Sequence, residues 1–300
     1  MKIIADFDGT ITNIQHEYET QLEKFKEKVL ELCDGNVELK ENILQSSHDY
    51  IQDRFDSFGW GNKGRVTAFG DEDLFMKLLA QMQCLDRWVQ ENHPVVFPLR
   101  KKLLKDPQNP ITFESLSRQA HDEMNTEPLT DFNCPEPEAV TALNTLLEQD
   151  IEIIIVSNSP TERIIAKLER VGLKPVDHED NPSAQFRVRG LAKKFGLGDE
   201  PQYEIFGKRM IDTNRPNYRR IIDEERPLAV VGDVFSLDLA LPMYLSKLEP
   251  MYDAIQVYLR MRPYTPQWAI DAMLNPDPSI KARPRLLNHF TDLPNLIHKR

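Results

Sequence analysis

The chain has 300 residues, of which 40% are hydrophobic and 28% charged, and its formal net charge is −11. This composition excludes wholesale disorder and suits a folded protein with one large or two unequal domains. The acidic balance argues against a nucleic-acid-binding surface, because phosphate backbones are held chiefly by clustered Lys and Arg. A small phosphate ligand stays compatible with it, provided that a metal ion and a few local cations reverse the field.

The three cysteines, Cys33, Cys84 and Cys134, are far apart and include no Cys-x-x-Cys pair. We therefore expect free thiols, without a disulfide framework or a zinc site. No stretch approaches the ~18 consecutive apolar residues that a membrane span needs. The first residues resemble a core strand, so they are not expected to be a removable signal sequence. The sequence predicts a cytoplasmic protein without membrane contact and gives no oligomeric state.

The first segment of the chain combines a strand with a polar turn. Residues 3–5, Ile-Ile-Ala, suit a buried parallel strand, and Asp6, Asp8, Gly9 and Thr10 lie in the turn that follows. Ligands bind beyond the carboxyl ends of such strands, and side chains at i and i+2 start on the same side. We therefore expect both carboxylates to face one ligand, although an isolated solvated turn would have the same residues.

The next region is predicted to be mostly helical. Apolar residues three or four apart predict helices over 17–32, 37–56, 71–92 and 112–124, the last with Thr112 as its N-cap. No strand pattern interrupts the block from 16 to 130 convincingly. Residues 58–65 form a glycine-rich stretch that could close over a substrate or simply connect two helices.

Strands and helices alternate after a proline-rich boundary at residues 133–137. The patterns predict strands at 151–156, 203–206, 227–232 and 255–259, and helices at 136–149, 161–171, 183–195 and 217–224. A proline-rich stretch at 262–285 and a last element at 286–298 follow. This alternation predicts an α/β fold, a Rossmann-like doubly wound parallel sheet with helices on both faces. The core would comprise 1–15 and 131–300, with 16–130 inserted as a helical cap that can act as a lid.

Three further polar segments stand at predicted strand ends or helix starts. Ser157 and Asn158 follow the strand at 151–156, where a hydroxyl and the amides of a helix N-terminus suit a phosphate oxygen. Arg215 precedes the helix at 217–224. Asp233 ends the strand at 227–232, with Asp238 five residues later. Each segment alone is an ordinary turn, but their common placement favours one shared site.

The four segments, in this order, resemble the motifs of the haloacid dehalogenase superfamily. Asp6-x-Asp8-Gly9-Thr10 matches its first motif, Ser157 its second, and Gly232-Asp233 with Asp238 its fourth. Arg215-Pro216 is similar to the third, where lysine is more common. Other cations lie close enough to compete for that assignment, namely Lys208, Arg209 and Arg219. The helical block resembles a cap inserted between the first and second motifs.

The resemblance implies a Mg²⁺-dependent phosphatase that acts on a small phosphorylated metabolite. Its implied roles are Asp6 as the nucleophile, Asp8 as the acid and base, and Ser157, Asn158 and Arg215 as ligands of the phosphoryl oxygens. It further implies a metal site of Asp6, Asp8 and Asp233, supported by Thr10 and Asp238. A phosphomutase on the same core, or a catalytically silent sensor of a phosphate ligand, stays open as an alternative.

Overall fold

The computed structural model describes residues 1–106, 108–125, 132 and 134–297. The strands are β1 Lys2–Ala5, β2 Gly59–Asn62, β3 Arg65–Phe69, β4 Glu152–Val156, β5 Val176–Asp177, β6 Phe186–Arg189, β7 Tyr203–Phe206, β8 Arg209–Asp212, β9 Ala229–Gly232, β10 Gln256–Arg260 and β11 Arg283–Leu287. The helices are α1 Gln15–Leu32, α2 Val37–Ile51, α3 Leu74–Gln90, α4 Arg100–Leu103, α5 Phe113–Asn125, α6 Pro137–Glu148, α7 Thr161–Arg170, α8 Pro216–Glu225, α9 Ala240–Leu248, α10 Gln267–Leu274 and α11 Leu293–Leu296. The predicted boundary residue 133 and the last residue of the predicted element 286–298 lie outside the described residues.

Seven strands form a sheet in the order β11-β10-β9-β1-β4-β6-β5, with every neighbouring pair parallel. The central strand is β1, in which Ile4 stands opposite Ile154 of β4 on one side and Val230 of β9 on the other. After β1, the chain forms β4, β5 and β6 on one side of that strand and later forms β9, β10 and β11 on its other side. Such a switch point leaves a crevice at the carboxyl ends of the strands, where ligands bind in open α/β sheets.

Both faces of the central strands are buried. Ile3 and Ala5 belong to a core with residues of α6, and Ile4, which points to the opposite face, is 1% exposed. Strands covered on both faces require continuous apolar runs, which is what β1 and β4 have. The predicted α/β, Rossmann-like class is therefore confirmed.

The chain divides into two compact units. Unit 1 comprises the described residues of Met1–Asn13, Gly61–Ala68 and Asn133–Arg300, and unit 2 those of Ile14–Trp60 and Phe69–Phe132. Unit 2 has its own apolar core, to which α1, α2, α3 and α5 contribute. The hydroxyl of Thr112 accepts a hydrogen bond from the amide of Ser115, as an N-cap does.

Residues 59–69 form a β-hairpin between α2 and α3, whereas no strand was predicted in the block from 16 to 130. Its loop consists of Lys63 and Gly64, with φ of 52° and 73°. Two consecutive residues with positive φ are typical of the tight turns whose twist matches a hairpin. The stretch from Gly61 to Ala68, inside the range predicted for the cap, packs with unit 1.

One helix prediction for the second half of the chain was wrong, and the structure adds detail to two other segments. The helix predicted at 183–195 is instead β6, whose Phe-Arg-Val-Arg sequence alternates with the period of a strand. The strand predicted at 203–206 is present as β7, but it pairs antiparallel with β8 in a separate hairpin, outside the main sheet. The proline-rich stretch at 262–285 contains α10 and the start of β11. Pro284 is tolerated there because β11 is an edge strand.

Candidate active site

The turn after β1 is closed by its own backbone. The amide of Asp6 still donates to the carbonyl of Val231 on β9, at 2.9 Å. The amides of Ile11 and Thr12 then both donate to the carbonyl of Phe7, and the Thr12 hydroxyl accepts from the amide of Gly9. This local bonding folds the polar residues back over the end of the strand, so the side chains of Asp6 and Thr10 are held beside β9.

Three carboxylates meet at the ends of β1 and β9. Oxygens of Asp6, Asp233 and Asp238 lie within 4.8 Å of one another, and all three residues are buried. The hydroxyl of Thr10 donates to Asp233 Oδ1 at 2.7 Å and to Asp6 Oδ2 at 3.4 Å. Gly9 has a φ of +81°, and a Cβ there would lie 2.2 Å from Asp233 Oδ2. Only glycine therefore allows the turn to approach Asp233 this closely.

The cation in this cluster is Lys194. Its Nζ donates to Asp6 Oδ1 and to Asp238 Oδ1, each at 2.5 Å, and the residue is 2% exposed. Burial lowers the pKa of Lys194, but the carboxylates of Asp238 and Asp6 raise it further, so the net pKa is above the usual value. Burial raises the pKa of Asp6 well above its usual range, while the charge of Lys194 opposes this shift.

The charge and the donor atoms of this cluster fit a divalent cation. One ammonium contacts two of the three carboxylates, so a divalent cation would further stabilise their ionised forms. Buried charges need partners, and carboxylate oxygens are the ligands that Mg²⁺ prefers. The cluster has Asp238 as its third member, whereas the predicted metal set had Asp8.

Asp8 has different surroundings from Asp6. Its Oδ2 accepts hydrogen bonds from the hydroxyl of Ser159 at 2.7 Å and from that of Ser157 at 3.2 Å. Both serines follow β4, and the Ser157 hydroxyl in turn accepts from the amide of Ser159. The two aspartates of the first motif are therefore held by different groups, an ammonium for Asp6 and hydroxyls for Asp8.

Asn158 and Asp238 hold the backbone around the cluster. The side-chain carbonyl of Asn158 accepts from the amide of Lys194 at 2.8 Å. Asp238 Oδ2 accepts from the amide of Val234 at 3.2 Å, which closes the turn after β9. A Cβ on Gly232 would lie 2.3 Å from the Cβ of Asp238, so this turn also requires a glycine. Asn158 thus contacts the residue that carries the ammonium.

Arg215, the predicted cation of the site, binds backbone carbonyl groups. It is 1% exposed, and its guanidinium donates to the backbone carbonyls of Asp212, Lys194 and Thr67, at 3.2, 2.9 and 2.5 Å. A cation that contacts Asp6 is Lys194, which was not predicted from the sequence. The role predicted for Arg215 toward a phosphoryl group stays a prediction. Arg215 supports the segment that carries Lys194 by bonding to its carbonyl.

Four residues that contact this site were not predicted from the sequence: Lys194, Ser159, Arg262 and Tyr264. Lys194 was not predicted as a site residue because it lies within the helix that was wrongly predicted at 183–195. The alternation in β6 was a signal for a strand, after which a polar residue at the sheet edge is expected. Arg262 and Tyr264 follow β10 within the proline-rich stretch, and nothing in their local sequence marks them.

No protein-family model matches the sequence, and no curated protein matches it either. Two similar solved structures are a 2-haloacid dehalogenase from Pseudomonas syringae pv. Tomato DC3000 and a haloacid dehalogenase-like family hydrolase from Xanthomonas campestris. The first structure is 12% identical, with a TM-score of 0.41, and the alignment covers 98% of this chain and 96% of that one. The second is 13% identical, with a TM-score of 0.41 and coverages of 98% and 93%.

The α/β class of the chain follows from the order and the parallel pairing of its own strands. Within the part of the chain that the structure describes, no helix is both long enough and apolar enough to cross a membrane.

Proposed function

We propose that this chain is a Mg²⁺-dependent phosphohydrolase of the haloacid dehalogenase type, acting on a small phosphorylated metabolite through an aspartyl-phosphate intermediate. The observation that carries the proposal is the cluster at the ends of β1 and β9. There the carboxylates of Asp6 and Asp233 converge beside the ammonium of Lys194, and Asp8 follows two residues after Asp6. Phosphoryl transfer requires mainly positioning and charge stabilisation, which these groups supply.

Asp6 is the proposed nucleophile. Its carboxylate attacks phosphorus and displaces the alcohol, so that one hard displacement becomes two easier ones. Lys194 holds Asp6 Oδ1 at 2.5 Å, whereas the Thr10 hydroxyl contacts Oδ2 at the longer distance of 3.4 Å, so Oδ2 is the proposed attacking oxygen. The ammonium also neutralises charge on the phosphoryl oxygens as they approach a group of acidic residues. The sequence resemblance implied this role for Arg215, and we propose it for Lys194.

Asp8 is the proposed acid and base. It protonates the departing alkoxide and then removes a proton from the water that hydrolyses the aspartyl-phosphate. Acid and base help of this kind contributes ~10²–10⁴ in rate. The hydroxyls of Ser157 and Ser159 hold the carboxyl group of Asp8. Ser157 is in addition the proposed hydroxyl for a phosphoryl oxygen, while Asn158 contributes by holding Lys194.

Asp6 and Asp233 are the proposed carboxylate ligands of Mg²⁺, with Asp238 as the third acidic group in reach and Thr10 orienting Asp233. When bound, the ion supplies positive charge that offsets the developing charge on the transferred group. The carboxylate of Asp8, which bonds to Ser157 and Ser159, is kept for proton transfer in this proposal.

Turnover of p-nitrophenyl phosphate tests the proposal, because this substrate needs no specific recognition. We expect hydrolysis that requires Mg²⁺, is lost in Asp6→Asn and persists in Asp122→Asn, a matched change of an exposed aspartate in α5. No turnover by the folded wild type would contradict the proposal and favour a phosphate sensor. Transfer of the phosphoryl group to a second hydroxyl of a sugar phosphate, without release of phosphate, would indicate a phosphomutase.

A further inference from the structure

The segment after β10 reaches back to the turn that carries Asp6. The guanidinium of Arg262 donates from Nε to the carbonyl of Gly9 at 2.5 Å. Its Nη2 donates to the carbonyl of Thr12 at 2.6 Å and to that of Thr10 at 3.3 Å. One side chain therefore binds three backbone carbonyls within four consecutive residues of the turn.

Arg262 is itself held by a carboxylate. Glu136 accepts from Nη1 at 3.1 Å and from Nη2 at 2.8 Å, and the Arg262 side chain is 8% exposed. The backbone near Glu136 is tied to the turn as well. Its amide donates to the carbonyl of Ile11, and Pro135 forms a bridge with Thr12. Arg262 thus joins the residues just after the first motif to the residues where the chain re-enters unit 1.

The same segment also contacts the carboxylate cluster itself. The hydroxyl of Tyr264, two residues after Arg262, donates to Asp233 Oδ2 at 3.0 Å. The proline-rich stretch at 262–285 therefore begins with one side chain that contacts the turn and one that contacts the cluster.

We propose that Arg262 is a positioning residue for the nucleophile. By fixing the carbonyls of Gly9, Thr10 and Thr12, it fixes the direction in which Asp6 leaves β1. An arginine suits this role, because its planar guanidinium offers five donors in a rigid fork, whereas lysine offers a single point of contact. The catalytic part of this inference rests on the proposed function, while the positioning of the turn can be measured without it.

Arg260 provides a matched control. It lies at the end of β10, two residues before Arg262, and is 4% exposed. Its hydrogen bonds within the described chain go to Glu136, Glu138 and the carbonyl of Asn288, and none goes to the turn. A purely structural role for Arg262 in the ion pair with Glu136 predicts similar effects of Arg262→Lys and Arg260→Lys. A positioning role for Arg262 predicts that Arg262→Lys affects the turn and catalysis more strongly than Arg260→Lys does.

The experiment compares wild type, Arg262→Lys and Arg260→Lys by two measurements. The first is amide hydrogen exchange of the peptide covering residues 7–13, which we expect to be about 10-fold faster in Arg262→Lys only. The second is Mg²⁺-dependent hydrolysis of p-nitrophenyl phosphate. We expect kcat of Arg262→Lys to fall ~10–100-fold, because a displacement of about 1 Å can cost that much, while KM stays within about threefold.

Equal exchange rates and equal kcat in the two lysine variants would overturn the inference. If Arg262→Lys does not fold, Glu136→Gln decides instead. Loss of the bidentate anchor should speed exchange of residues 7–13 and lower kcat, and wild-type values of both would overturn the inference. If the wild type shows no hydrolysis at all, the proposed function fails, and the exchange comparison alone decides whether Arg262 positions the turn.

Discussion

Replacement of Lys194 by methionine tests the electrostatic arrangement most directly, because methionine has a similar length and no charge. The Lys194 ammonium contacts Asp6 and Asp238 at 2.5 Å each, and the three residues are at most 8% exposed. Its removal leaves two buried carboxylates without their shared cation. Breaking a buried ion pair from one side costs about 3–5 kcal/mol. We expect Lys194→Met to lose about that much free energy of unfolding when no metal is bound.

The loss can be measured by urea unfolding in the presence of a chelator, with each transition fitted separately if the two compact units unfold in separate steps. Lys193→Met is the matched control, because Lys193 is the exposed neighbour in the same loop. Surface changes of this kind usually stay within about 0.5 kcal/mol. Turnover of p-nitrophenyl phosphate should fall ~10²–10³-fold in Lys194→Met, as it does when one donor to a developing charge is removed.

Equal stability of the Lys194→Met and Lys193→Met variants would refute the reasoning, since it would mean that the three groups do not form a charged, buried cluster. Wild-type turnover in Lys194→Met would refute the role assigned to the ammonium, whatever the stability.

Three further predictions follow from individual contacts. Gly9→Ala should lose more unfolding free energy than Gly172→Ala, because both positions have positive φ but only the first Cβ would meet Asp233; equal losses in denaturation would contradict this. Tyr264→Phe should weaken Mg²⁺ binding about 10-fold in calorimetry, and an unchanged affinity would count against the contact with Asp233. Burial raises the pKa of Glu225, but its arginine partners lower it below the ordinary 4.5. Ionised Glu225 therefore stabilises the fold at pH values above about 4.5, and this contribution is lost as the pH falls below its lowered pKa. Glu225→Gln should thus be destabilising at neutral pH and progressively less destabilising in acid. A deficit that is constant with pH would refute this.

The first and fourth motifs could be predicted because their signals are local. An apolar run followed by Asp6 or Asp233 indicates a buried strand and its polar end, and the physical reason is that burial on both faces demands continuous apolar residues. Ser157 is found in the same way after β4. The α/β alternation and the helical insertion follow from periodicity alone, since strands and helices repeat with different periods.

The partners of these aspartates depend on contacts between distant parts of the chain. Lys194 lies 188 residues from Asp6, and Arg262 lies 253 residues from Gly9. Most lysines and arginines are exposed, and a single sequence does not distinguish those that become buried. Arg215 was therefore predicted from its place before a helix, whereas the contact of Lys194 with Asp6 could not be predicted. In the folded chain, the carboxyl ends of β1, β6, β9 and β10 lie along the same end of the sheet. Which cation contacts the carboxylates there depends on tertiary packing and not on residue type, so only the tertiary structure decides it.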